Sequence, residues 1–133
     1  MIYRDAIDRL RFPENMSVGE DVYFWYSLIR NKKICYINES LALYRKNPSS
    51  LTKNVETYYR DSIKLFSRLI VEESDVMIKK TLQKHLADAY FELAYCYRKN
   101  FNRKESLRYV FKSIFLRPFT LKYYRILSNS KVG

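Results

Sequence analysis

Two adjacent carboxylates, Glu20 and Asp21, stand where a turn-rich loop gives way to an apolar run. The loop is marked by Pro13, Asn15, Ser17 and Gly19, and the run opens with Val22-Tyr23-Phe24. A carboxylate held within hydrogen-bond reach of a hydroxyl is the group that general-base chemistry requires. The first turn of a helix offers unpaired N–H groups and partial positive charge, which stabilise a carboxylate and hold it in place. The same residues have a plainer reading, because Asp and Glu are ordinary members of a first helical turn. Elsewhere the chain is poor in such groups. His85 is its single histidine, and Cys35 and Cys96 fall on apolar segments without metal-ligand spacing. A Cys/His zinc site is therefore not expected, and both thiols are expected to be reduced, as in the cytosol.

Periodicity predicts the elements that position these residues. Tyr3 to Leu10 reads as a short amphipathic helix with Ile7 and Leu10 on one side, and Pro13 follows as a stop. A second helix is expected from about Glu20 to Asn31. Val22, Tyr23, Trp25, Tyr26, Leu28 and Ile29 make it apolar nearly all round, which predicts burial, either in a larger domain or at a subunit contact. Ile34-Cys35-Tyr36-Ile37 is a short β-type run, Asn38-Glu39-Ser40 a turn, and Leu41 to Arg45 a second candidate strand. Two short strands are marginal alone. The expectation is a small hairpin covered by helices, or one paired with a second copy in a homodimer.

Asn47-Pro48-Ser49-Ser50 is the expected boundary, and beyond it the apolar period is helical. Tyr59, Ile63, Phe66 and Ile70 mark one helix. A longer one, separated near Glu73-Ser74-Asp75, runs through Ile78, Leu82, Leu86, Leu93 and Tyr97. Leu107, Val110, Phe111 and Ile114 mark a third that ends before Pro118, and Leu121, Tyr124 and Leu127 a short last one. The expected fold is mostly α: a short helix-loop-helix plus a small β-hairpin or strand, then a four-helix bundle.

The order of several short motifs gives a resemblance. Phe12-Pro13-Glu14, Gly19-Glu20-Asp21-Val22-Tyr23-Phe24, Lys33 to Leu41, Tyr44-Arg45 and Asn47-Pro48-Ser49-Ser50-Leu51 follow one another within the first 52 residues. This series resembles the C-terminal part of the catalytic domain of family 2 glycosyltransferases with the GT-A fold. The resemblance implies inverting transfer of a sugar from a nucleotide-sugar donor to a glycan or lipid-linked acceptor in cell-surface polysaccharide synthesis. It matches Asp21 to the general base and Glu20 to the acceptor-side or supporting carboxylate. Tyr44 and Arg45 match a substrate-binding motif near the nucleotide and acceptor cleft. The Arg45 guanidinium suits a phosphate, while a surface arginine or a partner of Asp21 is the plain alternative.

Departures from the pattern limit the activity. The sequence contains no Asp-x-Asp metal motif and no Gly-rich phosphate cradle. Asn47 stands where many relatives have His, and Ala42 and Leu43 where aromatics are common. The expectation is an acceptor-side fragment over residues 1–52, inactive alone, with Mg or Mn needed only by a complete enzyme.

Residues 53–133 form the expected C-terminal helical region. Tyr90, Leu93, Ala94 and Tyr97, then Ser106, Val110, Ser113 and Pro118, fall at the offsets of a tetratricopeptide repeat. A generic helical hairpin fits the same residues. The repeat reading makes a helical protein–protein interaction module the alternative function.

Charge narrows the partners. Residues 1–56 hold nine Lys/Arg against seven Asp/Glu, whereas residues 57–133 hold sixteen against seven. Within the overall net charge of +11, the helical half is thus strongly basic and suits anionic partners. Charge alone does not choose among lipid headgroups, nucleotide phosphates and nucleic acid. The lipid-linked acceptor that the resemblance implies adds an anionic membrane surface as an expected partner, with a cytoplasmic location peripheral at the inner face. A basic nucleic-acid-binding protein is a further alternative, disfavoured because no nucleic-acid motif is present. No apolar run reaches the ~20 residues that span a bilayer. Arg4, Asp5, Asp8 and Arg9 break any signal-peptide pattern at the N-terminus.

Overall fold

In the computed structural model the described residues are 7, 10–14, 18–30, 32–43 and 54–128. They form five helices in chain order: α1 (Glu20–Ile29), α2 (Val55–Glu72), α3 (Val76–Lys99), α4 (Arg103–Leu116) and α5 (Leu121–Ser128). The mostly helical class expected from periodicity is found.

Helix ends follow local chemistry. Asn54 caps α2 by accepting the Thr57 N–H at 3.2 Å. Asp75 caps α3 with one carboxylate oxygen that accepts the N–H groups of Met77 and Ile78 at 2.7 and 3.0 Å. Such side chains satisfy donors that the first turn leaves unpaired. The three residues Glu73-Ser74-Asp75 break α2 from α3 where the sequence predicts the separation. At the other end, α4 stops at Leu116, two residues before Pro118.

α3 ends in a Schellman turn. The N–H of Phe101 bonds to the Arg98 carbonyl at 3.1 Å and that of Asn102 to the Tyr97 carbonyl at 2.9 Å. Phe101 itself takes φ 58°, the left-handed conformation in which glycine is usual. Asn102 then starts α4 by accepting the Glu105 N–H at 3.3 Å.

The core lies along α2, α3 and α4. Leu65 and Leu69 of α2 meet Leu82 of α3, with Phe66, Ile70, Tyr23 and Tyr26 packed against them. A second cluster joins Ala94 of α3, Val110 of α4 and Ile126 of α5. The α3–α4 hairpin is the tightest contact for a simple reason. Ala94, Ser106 and Ser113 are small and buried, so the two backbones approach closely.

The β-hairpin needs correction, and two further expectations are met only in part or fall outside the described residues. No strand forms among the described residues: 33–38 and 40–43 carry no regular structure, and Ile34, Tyr36, Ile37, Leu41 and Leu43 are all exposed. The hairpin covered by helices is therefore not found. A β-type run needs a pairing edge, and none lies beside it among the described residues. α1, expected to be buried in a larger domain or at a subunit contact, is only partly covered within this chain. Only Phe24 and Leu28 are buried, while Val22, Trp25 and Ile29 remain exposed, because α1 rests on α2 along one side only. The expected helix at Tyr3–Leu10 lies almost wholly outside the described residues.

Candidate functional site

The carboxylate pair sits at the start of α1. Gly19 precedes it with φ 86°, a left-handed conformation open to glycine because it has no Cβ. The Gly19 carbonyl accepts the Tyr23 N–H at 3.0 Å and so begins the helix. Asp21 is exposed, and its Oδ1 lies 2.7 Å from the Val22 N–H. Glu20 is half-buried. Its Oε2 is shielded from solvent and has no hydrogen-bond partner among the described residues.

An aromatic stack ties Phe12 to α1. The Phe12 ring lies on Phe24 with centroids 4.3 Å apart and planes 13° from parallel, and Trp25 meets Phe24 edge-on at 5.6 Å. Stacking of this kind contributes roughly 0.5–1.5 kcal/mol beyond area burial. Tyr44 and Arg45, the other two predicted site residues, lie outside the described residues.

The structure also shows contacts that the sequence did not reveal, three of them made by tyrosines named above only for their apolar rings. Four tyrosine hydroxyls each donate to a carboxylate that also contacts a cation. Tyr23 of α1 meets both oxygens of Glu72 at 3.0 and 2.9 Å, while Arg68 bonds Glu72 at 2.8 Å and lies over the Tyr23 ring. Tyr26 donates to Glu73, which also faces Arg30 at 3.4 Å. Tyr97 of α3 donates to Glu56 of α2 at 2.8 Å, and Arg60 contacts both. Tyr123 of α5 donates to Asp88 of α3 at 2.9 Å, with Lys122 at 2.6 Å from the same carboxylate.

Their acidities show what these groups do. Burial, and next the hydrogen bond to a carboxylate, pushes Tyr26, Tyr97 and Tyr123 each up to about 12. On the acid side, the Tyr97 hydroxyl and then Arg60 hold Glu56 below its ordinary value, and the Tyr26 hydroxyl does the same for Glu73. At Asp88 burial opposes the charge, but the Lys122 and Tyr123 hydrogen bonds outweigh it and lower the value. Phenols held neutral and carboxylates held charged are poorly matched to proton transfer near neutral pH. These clusters join helices.

Two clefts open beside them. One of about 460 Å³ lies between the end of α1 and the α2–α3 turn, lined by Tyr26, Arg30, Glu73 and Asp75. Another of about 430 Å³ runs between α2 and α4, lined by Arg60, Asp61, Lys64, Tyr90, Tyr109 and Lys112. In the second, Glu56 engages Arg60 and Asp61 engages Lys64, so most of its positive charge is balanced internally.

Among the described residues no three His, Cys, Asp or Glu side chains come together to hold a metal ion. His85 is stacked on Phe66 at 5.5 Å. Among the described residues no helix is long and apolar enough to cross a membrane. Comparison with protein-family models, with curated proteins and with solved structures finds no match to this chain.

Proposed function

We propose that residues 1–52 are the acceptor-side part of an inverting GT-A glycosyltransferase that uses a nucleotide-sugar donor and a glycan or lipid-linked acceptor in cell-surface polysaccharide synthesis. Residues 53–133 are its C-terminal helical region. The observation that carries the reading is the pair at the start of α1, with Asp21 exposed and one Glu20 oxygen shielded and unbonded among the described residues. Asp21 is the group that takes the proton from the acceptor hydroxyl, and Glu20 Oε2 is an acceptor for a neighbouring hydroxyl. The motif series from Phe12 to Leu51 supports the same assignment, with Tyr44 and Arg45 on the substrate side.

The uncovered run from Ile34 to Leu43 also fits. Five exposed apolar side chains in ten residues suit a strand whose sheet is supplied by another domain or by a second copy. The chain has no Asp-x-Asp motif to bind donor diphosphate through Mg or Mn, so it is inactive alone. Its place is cytoplasmic, peripheral at the inner face of the membrane.

The test joins this chain to the donor-binding half of a GT-A enzyme and measures sugar transfer with Mn²⁺ present. Transfer is expected from the fusion, none from the chain alone, and a loss of about 10²–10⁴-fold on Asp21→Asn. Full activity of the Asp21→Asn fusion, or turnover by the chain alone, rejects the assignment.

The α3–α4 hairpin favours a second reading. Leu93, Ala94, Tyr97, Ser106, Val110 and Ser113 are all buried at the helix–helix contact, at tetratricopeptide offsets. On that reading the helical region is an interaction module. Binding of a defined protein partner that survives removal of residues 1–56 supports it, and loss of binding on that removal counts against it.

A further inference from the structure

α4 has two dissimilar faces. Ser106, Val110 and Ser113 are buried against α3, whereas Leu107, Phe111 and Phe115, spaced four apart, form one stripe on the outside. Exposure rises along that stripe, from Phe111 at 60% to Phe115 at 87%, and Phe119 in the following turn reaches 97%. Large apolar side chains standing this far into water are unusual when they cluster.

The charge on the same helix is one-sided. Arg103, Lys104, Arg108 and Lys112 are opposed on α4 only by Glu105, which lies 3.6 Å from Arg108. Lys104 and Arg108 alternate with the apolar stripe along its edge, and Lys112 lies over the rings of Tyr90 and Tyr109. We propose that this outer face of α4, continued by Phe119, docks on an anionic lipid surface, with the phenylalanines entering the headgroup boundary and the flanking cations meeting phosphate. The proposal does not rest on the glycosyltransferase reading.

Two observations select this occupant. A second copy of the chain would bring the same cations face to face, and like charges repel. A nucleic-acid duplex would neutralise the cations but gives Leu107 and Phe111 no apolar surface to enter. An anionic bilayer answers both features, because interfacial helices combine an apolar face with Lys and Arg beside it. With no membrane-crossing helix among the described residues, α4 would lie in the plane of the surface.

The experiment is co-sedimentation of the full chain with vesicles of phosphatidylcholine, with and without phosphatidylserine. Binding is expected only to the anionic vesicles and should weaken as salt rises. The Phe111→Ser/Phe115→Ser variant should bind about tenfold more weakly, and Lys104→Ser or Arg108→Ser about fivefold more weakly each. A second measurement stands apart from those variants. Phe115→Trp in a Trp25→Phe background should shift its emission to the blue on anionic vesicles and be quenched by brominated lipid. Equal binding to neutral vesicles overturns the proposal, as does emission from the introduced indole that is indifferent to lipid. Retention on single-stranded RNA without vesicle binding replaces it with a nucleic-acid surface. A dimer abolished by the phenylalanine changes, again without vesicle binding, replaces it with self-association.

Discussion

Tyr97 of α3 donates its hydroxyl to Glu56 of α2 at 2.8 Å across 41 residues of sequence. The contact is one of four in which a phenol, a carboxylate and a cation share a junction, and each joins helices or a helix to a turn. A phenol keeps a buried apolar ring and still offers one donor, so it can sit at a helix crossing and reach a charged group at the rim. The cation on the far side of the carboxylate reduces the cost of bringing that charge near the core. With thirteen tyrosines and a basic surface, the chain has ample material for this device.

Tyr97→Phe should remove the donor and keep the ring. A hydrogen bond to a charged group contributes about 1.5–3 kcal/mol when well shielded. Glu56 is more than a third exposed, so the expected loss is nearer 1 kcal/mol. Urea denaturation of Tyr97→Phe, Glu56→Gln and the double variant measures it. The double variant should cost less than the sum of the two single changes, because they remove the same contact. Strict additivity would mean that the two side chains do not act together.

Alkaline titration should resolve the same junctions. Tyr26, Tyr97 and Tyr123 sit at about 12 in the folded chain against an ordinary value of 10.0. A raised phenol is neutral in the fold while the unfolded chain already ionises. Its contribution is therefore complete below pH 10 and is lost as pH rises toward 12. Phenolate absorbance should show a late phase that Tyr97→Phe reduces. A single transition for all tyrosines near pH 10, with the fold intact, would contradict these placements.

On the acid side the sign reverses. Glu56 and Glu73 are held below their ordinary 4.5, and Asp88 below 3.8. Each stabilises the fold above those values, and the contribution is lost as pH falls below them toward the lowered folded-state values. Thermal melts should be flat with pH through neutrality and decline below about pH 4.5. The decline should be smaller in Glu56→Gln, which has no carboxylate to protonate there.

Phe101 is the one described residue other than glycine with positive φ, and its ring is 93% exposed. The left-handed conformation costs a residue with a Cβ about 1–2 kcal/mol, and the ring recovers none of it by burial. Phe101→Gly should therefore raise stability by up to about 1 kcal/mol, offset by glycine's greater freedom in the unfolded chain. The melting temperature reads this directly. A lower value would show that the Phe101 ring contributes to stability despite its exposure.

The helices were legible because their period and their ends are local: Asp75 caps α3 and Pro118 closes off α4. The buried faces were less so, because an apolar residue marks a helix without saying which side meets a neighbour. α2 buries Leu65 and Leu69 where Ile63 was expected, α5 buries Tyr123 and Ile126 and exposes Leu121, and α4 exposes Leu107 and Phe111. Ile34 to Ile37 has the composition of a strand, but a strand exists only with a neighbour, and composition does not supply one. The tyrosine–carboxylate contacts escaped for the same reason. They join residues 35 to 49 apart, although the i,i+4 pairs Glu56–Arg60 and Arg68–Glu72 within them were visible in the spacing. At the candidate site, the position of Glu20 and Asp21 at a helix start could be read from Gly19 and the apolar run. The shielding of Glu20 Oε2 depends on the folded surroundings.

α1 should be the least stable of the long-range contacts. It buries only Phe24 and Leu28 and is tied to the rest by Tyr23 on Glu72 and Tyr26 on Glu73. The Glu73 side chain is the pivot of the second tie, because it also accepts the N–H groups of Ser74 and Asp75 at 2.7 and 2.8 Å. Few buried apolar contacts mean a low free energy of local opening. Amide hydrogen exchange in Tyr26 to Ile29 should therefore be faster than in Leu86 to Ala94 of α3, and Tyr26→Phe should widen that gap while leaving α3 unchanged. The carboxylates that carry the proposed chemistry would then sit on an element able to adjust to an acceptor while α2, α3 and α4 stay fixed. Equal protection in α1 and α3 would instead make α1 part of one cooperative unit and remove that freedom.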